Sequence, residues 1–142
     1  MVTDNINMIT EDYVNFETAK LLKEKGFNEG CRQYWYRGNL VFSRSEIWNR
    51  ELDNYEDEGW TAPTLQMAMK WLRDVQGLNI YALGVWKDVE VQYCDWEPVV
   101  VGYNWFVESL MDDTYSKMSI EQFLTYEQAC EAAIKYCLEN LV

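Results

Sequence analysis

The chain has no histidine, and only two prolines and twelve basic residues stand among its 142 positions. It also lacks a CxxC pair, a GxxxxGK[ST] phosphate loop, and any apolar run near the ~18 residues that a membrane span requires. Each absence closes a class of function. Without imidazole, the usual base for a serine, cysteine or threonine nucleophile is missing. Ser116 and Lys117 offer a lysine substitute, but adjacent residues do not face each other on a regular element. Twelve bases against 24 acids leave a formal charge of −12. No basic stripe can neutralise phosphates, so neither direct nucleic-acid binding nor attachment to an anionic membrane is expected. The opening MVTDNINMITEDY has acids where a secretory leader carries bases, and it has no apolar core. A cytoplasmic location is the expectation.

The four cysteines agree with a reducing compartment. Cys31 and Cys94 are isolated, while Cys130 and Cys137 lie seven apart in a helical pattern. Seven residues span about 10 Å along a helix, too far for a disulfide between them. Four thiolates without imidazole, at spacings unlike the usual zinc patterns, favour buried thiols over a metal site. No cofactor is expected.

Charge is unevenly placed. Asp88 to Val142 holds eleven acids and two bases, or −9, whereas the first 87 residues total −3. Solubility of an aromatic-rich domain is the plain account of this acidity. Carboxylate catalysis would need two acids flanking an aromatic groove, as in glycoside hydrolysis. Glu90, Asp95, Glu97 and Glu108 are the candidates, with Trp96 and Trp105 as sugar platforms, yet 24 acids make such proximity common by chance. Asp53 to Gly59 imitates a calcium loop at its first and fifth places. Tyr55 stands where the third needs an oxygen, and Gly59 comes one place late. Asp112-Asp113 is only a pair.

The pattern of apolar residues predicts one α+β domain over 1–142: two layers, with an antiparallel sheet of about four strands and three main helices in the order α-β-β-α-β-β-α. A first helix is expected over Phe16 to Lys25, capped by Asn15, ending at Gly26 with Phe27 against Leu22. Two short runs around Gly38-Asn39 read as a hairpin. Ser43 and Glu46 have capping-box spacing for a short helix, and NYEDEGW reads as a loop. A second helix is expected over PTLQMAMKWLRDV, with Pro63 in its first turn and Leu65, Ala68, Leu72 and Val75 on one face. NIYALGVW and VVVGYNWFV read as strands, with VEVQY part of the second. A last helix begins at Thr125 and carries a seam of Tyr126, Cys130, Ala133, Cys137 and Leu141. The two helix-plus-hairpin units overlay loosely, Ala19 on Ala68 and Gly26 on Gly77, too thinly to indicate duplication.

Three blocks, ITEDYVNFETAKLLKEKGF, APTLQMAMKWLRDV and TYEQACEAAIKYCLENLV, cover 51 of the 142 residues. They resemble a group of small uncharacterised proteins of gut bacteria and their phages or prophages. The resemblance implies an intracellular, phage-derived setting and carries no activity or site residue.

The aromatics are the most informative residues present: seven tryptophans, ten tyrosines and five phenylalanines. Alternation sends Trp35 to one face of its strand and Tyr34 and Tyr36 to the other, and Tyr103, Trp105 and Phe106 repeat this later. If helices cover only one sheet face, these residues form an aromatic surface, unless residues 44–61 with Trp48, Tyr55 and Trp60 cover it. Tyr34, Trp35, Tyr36, Tyr103 and Trp105 are therefore the candidate binding residues. The expectation is a non-enzymatic module that binds another protein or itself. An acidic mimic of nucleic acid that occupies a basic groove on a host enzyme is the alternative, and a carboxylate-dependent hydrolase is the third.

Overall fold

The computed structural model describes residues 10–92 and 95–142. The opening nine residues and Cys94, on which two of the expectations above bear, lie outside the described residues.

Local signals act first. Asn15 caps helix α1 (Phe16–Glu24) by accepting from the Thr18 amide at 2.9 Å. At its exit Gly26 takes φ +95°, and the Gly26 and Phe27 amides donate to the Lys23 and Leu22 carbonyls, a Schellman ending. Strand β1 (Cys31–Tyr36) then turns into β2 (Asn39–Ile47) through Arg37-Gly38. Both turn residues have positive φ, +52° and +78°, the primed turn that matches strand twist. The turn thus sits one residue earlier than expected. The stretch SRSE continues β2 instead of capping a helix; the one-turn helix α2 (Asn49–Leu52) begins after Trp48.

Helix α3 (Leu65–Gln76) is capped by Thr64, whose hydroxyl accepts from the Met67 amide at 3.1 Å. Pro63 consequently lies before the helix, where its carbonyl accepts from the Val14 amide at 3.0 Å. Together with the Leu65 amide on the Asp12 carbonyl, this laces the approach to α3 against the approach to α1. Leu65, Ala68 and Leu72 are buried as expected, but Val75 is exposed and Met69 and Trp71 are buried instead. A full helical turn separates Leu72 from Gln76, and the chain has already begun to leave the core there.

Strands β4 (Leu78–Glu90) and β5 (Trp96–Ser109) form one long hairpin, and VE extends β4 instead of opening β5. Pro98 lies within β5, opposite Asp88, at a level where β5 has no neighbour on its other side, so its missing amide leaves no described ladder position unfilled. Helix α4 (Tyr126–Asn140) closes the chain, capped by Thr125 on the Gln128 amide.

The architecture is α+β, but among the described residues the single sheet of four strands is replaced by two antiparallel sheets of three, and three helices by four. The reason lies in two short strands. β3 (Gly59–Thr61), from the stretch read as a loop, occupies the free edge of β1. β6 (Ser116–Met118), from the polar stretch before the last helix, occupies the free edge of β5. Three residues are too few to display alternation, and they take the second edges of β1 and β5, leaving β2 and β4 as outer strands of separate sheets. The sheet orders are β2-β1-β3 and β4-β5-β6. In one the first hairpin strand is central and in the other the second, so the two units differ in topology.

A single apolar cluster joins both sheets and helices α1, α3 and α4. Ala129, Cys130, Ala133, Ile134, Cys137 and Leu138 of α4 are wholly buried within it. Buried Asn49 fastens the first unit: its amide donates to the Phe27 carbonyl at 2.7 Å and its oxygen accepts from the Thr61 amide at 2.8 Å.

Gly77 ends α3 at φ +69°, and an added Cβ would lie 2.9 Å from Met111 Cγ. Met111 is exposed and can swing aside, so the backbone term decides. Gly77→Ala is expected to lower stability by about 1–2 kcal/mol in urea unfolding. An unchanged midpoint would show that the left-handed turn is not required.

Candidate binding surface

The five aromatic residues singled out from sequence fall into three environments. Tyr34 and Tyr36 share the outer face of β1, with ring centroids 6.4 Å apart, and Tyr36 continues to Tyr55 at 5.7 Å. Arg37 lies over the Tyr36 ring and pairs with Asp57, so the 53–58 loop partly shelters this row. Of the three aromatics proposed to cover it, Tyr55 reaches the row, whereas Trp60 pairs with Trp35 on the opposite face. Trp35 is half-buried; its indole N–H donates to the Val14 carbonyl at 3.1 Å and its ring meets Phe16 edge-on.

Tyr103 and Trp105 point the other way, into the body of the protein. Tyr103 meets Tyr126 and Trp105 meets Tyr136, both on α4, at 6.2 and 4.9 Å. Trp105 is only 6% exposed. The five residues therefore do not form one face, since the three of β1 and the two of β5 belong to different sheets and three of the rings serve packing.

A different surface is open. Up to the Ala82–Trp105 pair, the β4–β5 hairpin rests on the core through Leu78, Ile80, Trp105 and Val107. Beyond it the hairpin projects, and every residue from Trp86 to Gln92 and from Asp95 to Val99 is exposed. The five paired residues Trp86 to Glu90 alone extend it by roughly 16 Å. This arm is not polar. Trp86 is 64% exposed and Trp96 61%, accompanied by Leu83, Val89, Val91, Val99 and Val101. The pairing register puts Trp86 with Val100, and Trp96 with Glu90, on one face, and Val99 with Lys87, and Val89 with Glu97, on the other. A bulge at Val101 separates arm from base. Gly84 leaves room over which Val100 and Trp86 lie; an added Cβ would be 3.3 Å from a Val100 methyl. Lys87 is the one base on the arm, against Asp88, Glu90, Asp95 and Glu97.

The sequence signal for this surface exists but reads ambiguously. NIYALGVWKDVEV places apolar residues at both parities, the pattern of a strand buried on both faces. Here both faces of the arm are open instead.

The carboxylates considered for catalysis do not converge. Glu90, Asp95, Glu97 and Glu108 are all exposed, Glu90 and Glu97 project from opposite faces of the arm, and Glu108 accepts from the Asn79 amide group. In the calcium-like loop Asp53 pairs with Lys23 at 2.7 Å and Asp57 with Arg37. Asp112 accepts from the Thr114 amide and hydroxyl, which hold its pKa low. Among the described residues no three metal-ligating side chains gather. Two of the described thiols are poor nucleophiles: burial pushes Cys31 up to about 11 and Cys137 up to about 12. No helix among the described residues is long and apolar enough to cross a membrane.

One carboxylate does stand apart. An open groove of about 710 Å³ runs between the sheets, with Trp35 and Leu40 on one side and Phe123 on the other. At its α4 wall, Glu131 Oε1 accepts from the Asn15 amide at 2.8 Å, while Oε2 is buried without a hydrogen-bond partner. Burial raises the Glu131 pKa; the Asn15 amide and the nearby Thr18 hydroxyl offset only part of that cost. Comparison of the chain with protein-family models, curated proteins and solved structures finds no match. None of these comparisons supports the expected kinship with proteins of gut bacteria and their phages.

Because the folded pKa of Glu131 lies above its ordinary 4.5, the folded state binds the proton more tightly than the unfolded chain does. Stability from this group is therefore greatest below pH 4.5 and falls as pH rises toward the folded value. Glu131→Gln keeps the acceptor for Asn15 and removes the buried charge. The variant is expected to be more stable at neutral pH, with the difference vanishing in acid, when urea midpoints are compared across pH. A constant difference would rule out titration of Glu131 as the cause.

Proposed function

We propose that this chain is a non-catalytic protein-binding module whose contact surface is the projecting β4–β5 arm. The observation that carries the reading is the exposure of Trp86 and Trp96, with five aliphatic neighbours, on a hairpin that leaves the core. Soluble proteins rarely leave contiguous apolar area of this kind open unless something covers it. The two tryptophans, on one face of the arm, offer on the order of 300 Å² of exposed side-chain surface, while Val89 and Val99 lie on the other face, so a partner contributing the ~800 Å² of a standard interface contacts both faces. Tryptophan is also the residue type most enriched at interface hot spots.

Charge narrows the partner. The acids around the tryptophans form a negative rim, which favours partners presenting lysine or arginine beside an apolar patch and speeds their encounter at low salt. A mimic of nucleic acid would present acids on a bare polar face, and the arm combines them with indole rings instead. A hydrolase is not supported by the scattered carboxylates. The tyrosine row of Tyr34, Tyr36 and Tyr55 is a smaller, partly sheltered surface.

A photo-crosslinking residue placed at Val99, on the β5 side of the arm, is expected to give one discrete protein adduct in the native cells. Trp86→Ser and Trp96→Ser should each weaken its formation roughly thirty-fold, about 2 kcal/mol, without altering the fold by circular dichroism. No adduct, or an adduct indifferent to both substitutions, would remove the arm from consideration.

A further inference from the structure

The arm has a second property: its outer edge is unpaired. β4 is the terminal strand of its sheet over all thirteen residues, and β5 takes its only ladder. Among the described residues, no backbone or side-chain group hydrogen-bonds to the opposite edge of β4. Exposed edges are ordinarily blunted by lysine, proline, a bulged edge or a covering element. From Asn79 to Trp86 the sequence NIYALGVW has no charge and no proline, and the one bulge puts its extra residue in β5.

From this geometry we infer that β4 pairs antiparallel with β4 of a second copy of this chain, about a two-fold axis at Leu83, making one continuous six-stranded sheet. The inference rests on the reading of the arm as an interaction surface and names one occupant of it. Its argument is the register. A two-fold axis perpendicular to a sheet places residues of equal parity opposite each other, so that side chains meet on the same face. Centred on Leu83, the edge sets Ile80 against Trp86 of the second copy and Tyr81 against Val85. Ala82 meets Gly84, and Leu83 meets itself. Both large pairs are aromatic with β-branched, the combination that most favours neighbouring strands. The smallest residues, Ala82 and Gly84, fall on either side of the axis. Lys87 meets Asn79 and Asp88 meets Leu78, so no like charges are directly opposed.

The area is modest. Leu83 and Trp86 from each copy contribute several hundred Å² to the seam, the lower end of stable interfaces, so the dimer is concentration-dependent. Overall charge works against it, because each copy carries −12. Salt screens that repulsion, and association of the two copies tightens as salt is raised. A basic partner on the same edge would show the reverse dependence. In the dimer the two arm tips point in opposite directions, which turns one contact surface into two.

Sedimentation equilibrium of the full chain tests the proposal. The expected result is a reversible monomer–dimer equilibrium reaching about twice 16.9 kDa, with a dissociation constant that falls from low to high salt. Leu83→Lys, at a position already 54% exposed, should raise that constant at least about tenfold while leaving the circular dichroism spectrum unchanged. Leu83→Cys should form a dimer-linking disulfide under mild oxidation, since directly opposed residues lie about 4.5–5.5 Å apart, within disulfide reach. The parent chain and Lys20→Cys on α1, oxidised in parallel, should not. A monomer at every concentration in high salt, or a dimer that ignores Leu83→Lys and leaves Leu83→Cys unlinked, would overturn the β4 pairing. The Val99 adduct with a different protein would survive either result, so loss of the dimer and loss of the arm reading are told apart.

Discussion

Helix α4 is the constraint on which the rest depends. Its Tyr126 and Tyr136 meet Tyr103 and Trp105 of the second sheet, and its Glu131 and Lys135 reach Asn15 and Glu17 at the start of α1. Six of its side chains are wholly buried, and four of these are alanine or cysteine. Small residues let backbones approach closely, and the two larger ones, Ile134 and Leu138, each add about 1.5–3 kcal/mol of burial. Among the described residues the two hairpins share no hydrogen-bonded edge, and this helix and the cluster around it join the two halves.

A core built around one fifteen-residue helix reaches only so far. It covers β4 and β5 from Leu78 to Ala82 and from Tyr103 to Val107, and then it ends. The hairpin does not end with it, because its ladder is closed by its own backbone pairing for eight more residues of β4. Backbone hydrogen bonds alone are a weak warrant for such an extension, given their small net contribution in water. The tryptophans and valines along the arm add cross-strand packing, and the same side chains create the open apolar surface.

What could be read from the residues was mostly what short-range chemistry decides. Asn15, Thr125 and Gly26 perform the capping expected of them, since a cap needs only the next three or four residues. The buried stripe of α4 followed from its period. Pro63 was placed inside the first turn of α3 but lies just before its cap, because proline suits either side of a helix start, and Val75 was misjudged because periodicity carries no information about where the core stops. β3 and β6 were invisible: three-residue strands are defined by the neighbour they pair with. The binding residues were legible as a class and not as a place. Aromatic strands were conspicuous, but Trp105 and Tyr103 turn toward α4, and the arm's Trp86 and Trp96 turn toward solvent.

The sequence by itself determined the caps of α1 and α4, the place of the Arg37-Gly38 tight turn to within one residue, the α+β class and the surplus of acid. These depend on dihedral preferences, capping and hydrophobic period, all of which act within a few residues. Only the tertiary structure decided that the hairpins form two sheets, that the candidate aromatics divide between packing and surface, and that the β4 edge stays open. Those outcomes depend on which segment reaches a strand edge first and how far a single helix extends, and both are set by contacts distant along the chain.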